Sequence, residues 1–309
     1  MQQVNDCFVK VKKDCLKFIT SQETKKDKFK NKEKMIKSFL IPVSFWIAKK
    51  VNKKKPLMIG LAGGQGSGKT TISSILTLII QKYFKLTVFK VSIDDFYKTR
   101  KDRKLLSKNK HPLLMTRGVP GTHDIDLMLK FFKKVKSKSF KNLTVPKFNK
   151  AIDDRYKKSL WYKLKSKPDV IIFEGWCVGA NAQTNKQLKK PINSLERVYD
   201  EGIKWRTHVN DQLKTKYKKL FSQLDGLLYI KAKNFNILRE WRVKQERKLL
   251  LQTKNKKNLK IMSSGDIINF MQTYQRITQQ MFKDAMKSSS IIIDLDIKHQ
   301  IKKIKFKKK

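Results

Sequence analysis

Residues 57–80 read LMIGLAGGQGSGKTTISSILTLII, and their order decides the fold. The opening stretch 57–62 is short and apolar, the composition of a parallel strand buried on both faces. Beyond the glycines, Ile72, Ile75, Leu76, Ile79 and Ile80 recur at i, i+3, i+4, i+7 and i+8, one face of a helix. Between the two runs, Gly63, Gly64, Gln65, Gly66, Ser67, Gly68, Lys69 and Thr70 satisfy G-x-x-x-x-G-K-[ST], with Thr71 following. Glycines let successive backbone N–H groups converge on phosphate oxygens where a Cβ would stand in the way. Lys69 is then placed to bridge β- and γ-phosphates, and the Thr70 hydroxyl to ligate Mg²⁺. The helix adds the positive end of its dipole. A glycine turn without a ligand has no use for Lys-Thr at the helix start, so nucleoside triphosphate binding is the expectation.

Working outward, strand patterns follow at 86–93, 169–173, 224–230 and 291–295. Helical patterns separate them: after Asp124, around 199–221, at 235–251 and at 265–286. Strands alternating with helices give an α/β protein with a P-loop NTPase fold, a mostly parallel sheet covered by helices on both faces. In such sheets ligands bind beyond the carboxyl ends of the strands. The chemistry is therefore to be sought there.

The first such end is SIDDFYKTR, where Asp94 and Asp95 arrive as the apolar run stops. A carboxylate at this edge can take the proton of an attacking hydroxyl. Aspartates also cap helices and turns, and with two adjacent acids both roles can be filled; Asp94 is read as the base and Asp95 as its neighbouring support. The second end is DVIIFEGW, where Glu174 closes an apolar strand as the acid that holds Mg²⁺ directly or through water. Cys177, just beyond, has no neighbour that would depress its pKa and is read as packing.

Between these strands, MTRGVPGTHDIDLM places Arg117, His123 and Asp124 around a glycine turn, and TVPKFNKAIDDR places Lys147, Lys150 and Arg155 beyond a short strand. Convergent basic groups suit a small anionic acceptor, and capping with solvated lysines accounts for the same spacing equally well. Further on, LREWRVKQERKLL carries Arg239 and Arg242, in a chain whose basic residues are mostly lysine. A helix bearing such arginines can close as a lid over a transferring phosphate. An exposed helix with Glu240-Lys244 and Arg242-Glu246 pairs is the plainer reading.

The succession GGQGSGKTT, SIDDFYKTR, RGVPGTHDIDLM, VPKFNKAIDDR, VIIFEGWCVGA and LREWRVKQERKL resembles the plant- and cyanobacterial-type D-glycerate 3-kinases. These belong to the larger group of P-loop kinases that includes phosphoribulokinase, uridine kinase and pantothenate kinase. The resemblance covers approximately residues 39–295. It implies ATP at residues 63–71, Mg²⁺ on Thr70 and Glu174, Asp94 as the acceptor-activating base, and Arg239 and Arg242 in the helical lid. An acceptor site is expected from Asp95, Tyr97, Arg117, His123, Asp124, Lys147 and Arg155. One departure stands in the acceptor segment, where Phe148-Asn149-Lys150 replaces the aromatic-Asp-Lys of the family pattern. Other small acceptors of the group, a nucleoside, a sugar phosphate or pantothenate, are the nearest alternatives.

Composition bounds the rest. A chain of 309 residues with 39% hydrophobic content can build one large α/β domain or a domain with an appendage. The expected division is a basic N-terminal extension at 1–38, helical or partly frayed, a kinase domain at 39–296, and a basic mobile tail at 297–309. The net charge of +48 would draw polyanions, including nucleic acid. The excess is lysine spread along the whole chain rather than clustered arginine with aromatics, so no dedicated nucleic-acid site is expected. An ATP-regulated nucleic-acid-binding protein is the reading from another class. Three cysteines without a C-x-x-C fit a reducing compartment and give no zinc signal. No segment approaches the roughly 20 apolar residues of a membrane span, and the FLIPVSFWIA stretch reads as a packed helix. Neither does the N-terminus have the order of a signal peptide, so a cytoplasmic location is expected.

Overall fold

The alternation along residues 57–63 sends neighbouring side chains to opposite faces, and both faces are covered. In the computed structural model, which describes residues 2–25, 27–252 and 263–307, this stretch is strand β1 (Leu57–Gly63), buried at every position. Met58 and Ala62 enter one core with Phe96, Phe132, Phe173 and Trp176. Leu57, Ile59 and Leu61 enter the other with Ile75, Ile79 and Ile293.

The remaining strands of the main sheet are β2 (Val88–Ser92), β3 (Val170–Gly175), β4 (Gly226–Lys231), β5 (Ile291–Leu295) and β6 (Ile301–Phe306). They lie in the order β6-β5-β4-β1-β3-β2. All neighbours are parallel except β6, which runs antiparallel to β5. The four strands expected after the glycine loop fall within two residues of their expected windows. The principal helices are α1 (Gln2–Ser21), α2 (Ile41–Lys49), α3 (Lys69–Phe84), α4 (Ile125–Lys136), α5 (Lys204–Gln212), α6 (Phe235–Gln252) and α7 (Ser264–Ser288). Among the described residues no helix is long and apolar enough to cross a membrane.

Both ends of the chain belong to this architecture. Helix α1 buries Cys7, Val11, Cys15 and Ile19, a stripe spaced by four that packs against α3. The expected mobile tail is instead β6 as far as Phe306, with Ile301 and Ile304 against the core; Lys308 and Lys309 lie outside the described residues. Its lysines sit on an edge strand, where charge discourages further strand pairing. The register sets the site: Leu61 pairs with Glu174, and Glu174 pairs with Ser92 across β3. The glycine loop, Glu174 and the Asp94-Asp95 turn therefore emerge side by side at one sheet edge.

Candidate active site

The glycine loop turns from β1 into α3 through Gly66 (φ 74) and Gly68 (φ 84), left-handed conformations that glycine adopts without strain. At Gly64 a Cβ would stand 2.3 Å from Leu238 of α6, so the loop also lets that helix approach. Lys69 Nζ donates to the carbonyl oxygens of Gly63 (2.8 Å) and Gly64 (2.9 Å). Burial lowers its pKa, and the charges of Glu174 and Asp94 oppose that shift. Gln65 Oε1 and Ser67 Oγ are buried without hydrogen-bond partners among the described residues, while Thr71 continues the first turn of α3. A concave loop of glycines with unpaired polar atoms and one lysine fits a triphosphate.

Thr70 Oγ1 donates to Glu174 Oε1 at 3.1 Å, and Ser73 Oγ, one turn on, donates to Oε2 at 2.8 Å. A hydroxyl beside a carboxylate supplies the hard oxygen ligands that Mg²⁺ takes, the remaining positions going to water and phosphate. Among the described residues no group of three or more His, Cys, Asp or Glu could hold a metal. The site thus fits a cation shared with phosphates rather than caged by protein.

Across from the loop, Ser92 Oγ accepts the Asp94 N–H (3.2 Å) and starts a tight turn over Ile93–Phe96. The turn separates its two acids. Asp94 Oδ2 accepts Lys150 Nζ at 2.8 Å, and the Tyr97 hydroxyl also bonds Asp94. Burial alone would raise the Asp94 pKa, but the charge and hydrogen bond of the Lys150 ammonium, with smaller help from its other neighbours, hold the carboxyl well below the usual range. Asp95 instead accepts the Phe148 N–H (3.3 Å) and braces the hairpin in which Phe148–Asn149 pairs with Asp154–Arg155. Burial, with the charge of Asp94 adding to it, pushes Asp95 up to about 6. Of the two acids, Asp94 exerts its charge on Lys69.

Around Asp94 the expected acceptor residues divide into two sets. Arg117 forms an ion pair with Asp153 and lies over the Phe148 ring, 5.4 Å from its centroid. His123 stacks on Tyr97 with centroids 4.4 Å apart. These groups converge on the Asp94 side. Asp124 and Arg155 act as staples: Asp124 caps α4 through the Leu127 N–H (3.1 Å) and pairs with Arg155 at 3.0 Å. Arg155 Nε donates to the Tyr97 carbonyl at 2.7 Å. Lys147 points elsewhere, over the rings of Tyr156 and Tyr162; Lys150, in the hairpin turn, is the lysine at the site. Asn149, the departure from the family pattern, accepts the Ala151 N–H (3.0 Å) and braces that turn, as an aspartate also can.

On α6, Arg242 pairs with Glu246 at 2.6 Å, and its charge reaches Tyr274. Arg239 is half-buried and makes no ion pair among the described residues. Lys244 pairs with Asp27 rather than with Glu240. Cys177 is buried, which pushes its thiol up, and it behaves as packing. Several contributors carry no local signal in sequence. Tyr274 of α7 fills the space over Gly118, where a Cβ would stand 2.1 Å from its hydroxyl, and Trp176 Nε1 donates to the Gly118 carbonyl at 3.0 Å. His299, in the β5–β6 turn, stacks on Trp241 at 4.1 Å beside the glycine loop. Ser73 was not singled out either, although its place one helical turn after Thr70 is a local signal.

Across from the glycine loop stands the Asp94 carboxylate, paired with the Lys150 ammonium. Fold and site together are those of a P-loop kinase. The model of the phosphoribulokinase / uridine kinase family matches residues 58–189. The uncharacterized kinase mug58 of Schizosaccharomyces pombe is 31% identical over 228 residues, covering 71% of this chain and 79% of that protein. The chain belongs to this family. The chloroplastic D-glycerate 3-kinase of Arabidopsis thaliana is 30% identical over 230 residues, covering 67% of this chain and 47% of that protein. Among solved structures, the D-glycerate 3-kinase from Cryptococcus neoformans superposes with a TM-score of 0.71 at 24% identity, covering 87% of this chain and 97% of that one. At that identity the likeness is one of fold.

Proposed function

We propose that this chain transfers the γ-phosphate of ATP to the 3-hydroxyl of D-glycerate, giving 3-phosphoglycerate and ADP. The observation that carries this reading is Asp94, held ionised by Lys150 beside Lys69 and Glu174. The acceptor hydroxyl forms the new O–P bond, its proton passes to Asp94, and the bond between the γ-phosphorus and the β–γ bridging oxygen breaks. Lys69 balances charge on the phosphates. Mg²⁺ bound by Thr70 and Glu174 would neutralise phosphate charge. Arg117 and Lys150 offer the donors that a small carboxylate takes, and hydrogen-bonding it to Lys150 would free Asp94 to face the hydroxyl. The name of the Arabidopsis protein supports the choice of glycerate among small acceptors.

The test is ADP release with purified protein, ATP and Mg²⁺ against a panel of D-glycerate, uridine, pantothenate, a sugar phosphate and buffer alone. Glycerate should stand well above the rest. A preference for uridine or pantothenate would replace the acceptor, and turnover no faster than in buffer would remove the kinase reading.

A further inference from the structure

His123 is 2% exposed, on the loop that leads into α4. Its Nδ1 lies 2.6 Å from the hydroxyl oxygen of Tyr217, on the turn of helix that continues α5. That oxygen already receives the backbone N–H of Gly121 at 3.1 Å. The phenol has one proton to place, and among the described residues Nδ1 is the one acceptor within hydrogen-bond distance of it. A ring nitrogen that accepts is unprotonated, so the proton of the neutral imidazole sits on Nε2. Burial keeps the ring neutral, lowering its pKa to about 4.

Nε2 is itself buried and has no hydrogen-bond partner among the described residues. An unpaired buried donor asks for a ligand. The ring's surroundings indicate which one. It stacks on Tyr97, whose hydroxyl bonds Asp94, and the charge of Asp94 acts on the imidazole. The ring that carries the free N–H therefore stands one side chain from Asp94, with Tyr97 between.

We infer that Tyr217 is a positioning residue that locks His123 as a neutral Nε2–H donor for an acceptor oxygen next to the hydroxyl under attack. This rests on the kinase reading, and it names the chemistry the acceptor must carry: a carboxylate or vicinal hydroxyl oxygen with a free lone pair. An acceptor lacking that oxygen leaves the N–H unpaired, the situation in which buried polar groups discriminate most strongly.

The lock is tested first by ¹⁵N-histidine NMR on the full wild-type chain at neutral pH. His123 should show the Nε2-protonated tautomer, and its Nε2–H resonance should shift when D-glycerate is added with a non-hydrolysable ATP analogue. In Tyr217→Phe the tautomer preference should be lost, and the acceptor KM should rise ~10-fold with kcat and the ATP KM little changed. The variant should also discriminate less against an acceptor analogue without the neighbouring oxygen. A wild-type spectrum with the proton on Nδ1, or a folded Tyr217→Phe with unaltered acceptor KM, overturns the lock. A panel in which nothing is phosphorylated overturns the kinase reading, and with it the use made of the N–H, even where the tautomer is as described. If Tyr217→Phe fails to fold, the wild-type tautomer and the response to D-glycerate decide.

Discussion

The two sides of the phosphate cradle are built differently. On the Asp94 side the partly exposed polar groups are backed by buried ones. Arg103 is fully buried, donating to the carbonyls of Lys98, Met115 and Asp153 while pairing with the Asp153 carboxylate at 2.9 Å. That same carboxylate orients Arg117. Behind it, Glu196, Arg206 and Arg276 form a buried ion cluster that fixes α7, the helix carrying Tyr274. On the other side, α6 is tied to the N-terminal segment through Lys244 and Asp27, whose side chains are 61% and 36% exposed. The Trp241–His299 stack and a bond from Lys248 to the Gln22 carbonyl add to it, and Phe235, Leu238 and Trp241 are buried in the core. Losing one partner of a buried pair costs about 3–5 kcal/mol, and losing an exposed one about 0–1. The Asp94 side is thus anchored by buried ion pairs, whereas α6 joins its buried apolar side chains to a polar fastening that is open to water.

The sharpest break is at Asp94. Asp94→Asn should lower kcat by ~10²-fold or more, the ordinary weight of a general base, with ATP binding nearly intact. Single-turnover kinetics with ATP binding measured separately tests this, and near-wild-type turnover would reject the base. Next comes the buried ion cluster. Arg276→Met leaves Glu196 with Arg206 alone, at 3.5 Å, and should destabilise the fold by about 3 kcal/mol in urea unfolding. Adding Glu196→Gln should restore part of that loss, because the uncompensated charge goes with it. A single variant as stable as wild type would mean that the cluster does not hold α7.

The pKa values of the two aspartates differ in a way that stability can report. Asp95 titrates at about 6 in the fold against 3.8 in a free chain. Between those values the folded state keeps a proton that the unfolded state has lost. Its contribution is therefore full below the lower value and is lost as pH rises through the upper one. Asp95→Asn should remove this slope, so the variant gains on wild type between about pH 4 and about pH 7. Unfolding midpoints separated by the same margin at both pH values would show that Asp95 is not raised.

How much of this was legible follows from separation along the chain. The glycine loop, Asp94 and Glu174 could be read because each is decided by neighbours within a strand and a turn. Lys147 and Lys150 stand three apart, and only the hairpin turn determines which one meets Asp94; spacing could not. Tyr217 reaches His123 across 94 positions, and Tyr274 reaches Arg117 across 157, contacts to which no local pattern points. Helix α1 was obscured for another reason. Its buried stripe of Cys7, Val11, Cys15 and Ile19 is one residue wide, and the lysines on the remaining faces dilute the periodicity. In β6 the same lysine excess made an edge strand read as a solvated end.

The smallest effect is expected where α6 is fastened to the N-terminal segment. Lys244 and Asp27 meet at 2.7 Å, but both are open to water, so the attraction is screened and each side chain gives up rotamer freedom to keep it. Lys244→Ala should cost less than ~1 kcal/mol of stability, and less still at high salt. A double-mutant cycle with Asp27→Ala isolates the pair from whatever else each residue touches. Its coupling should be several times weaker than that of a Glu196–Arg276 cycle, and should fade with added salt while the buried coupling persists. A surface coupling as strong and salt-resistant as the buried one would mean that the two sides are fastened alike. In either case the buried Phe235, Leu238 and Trp241 hold α6 to the core independently of this pair.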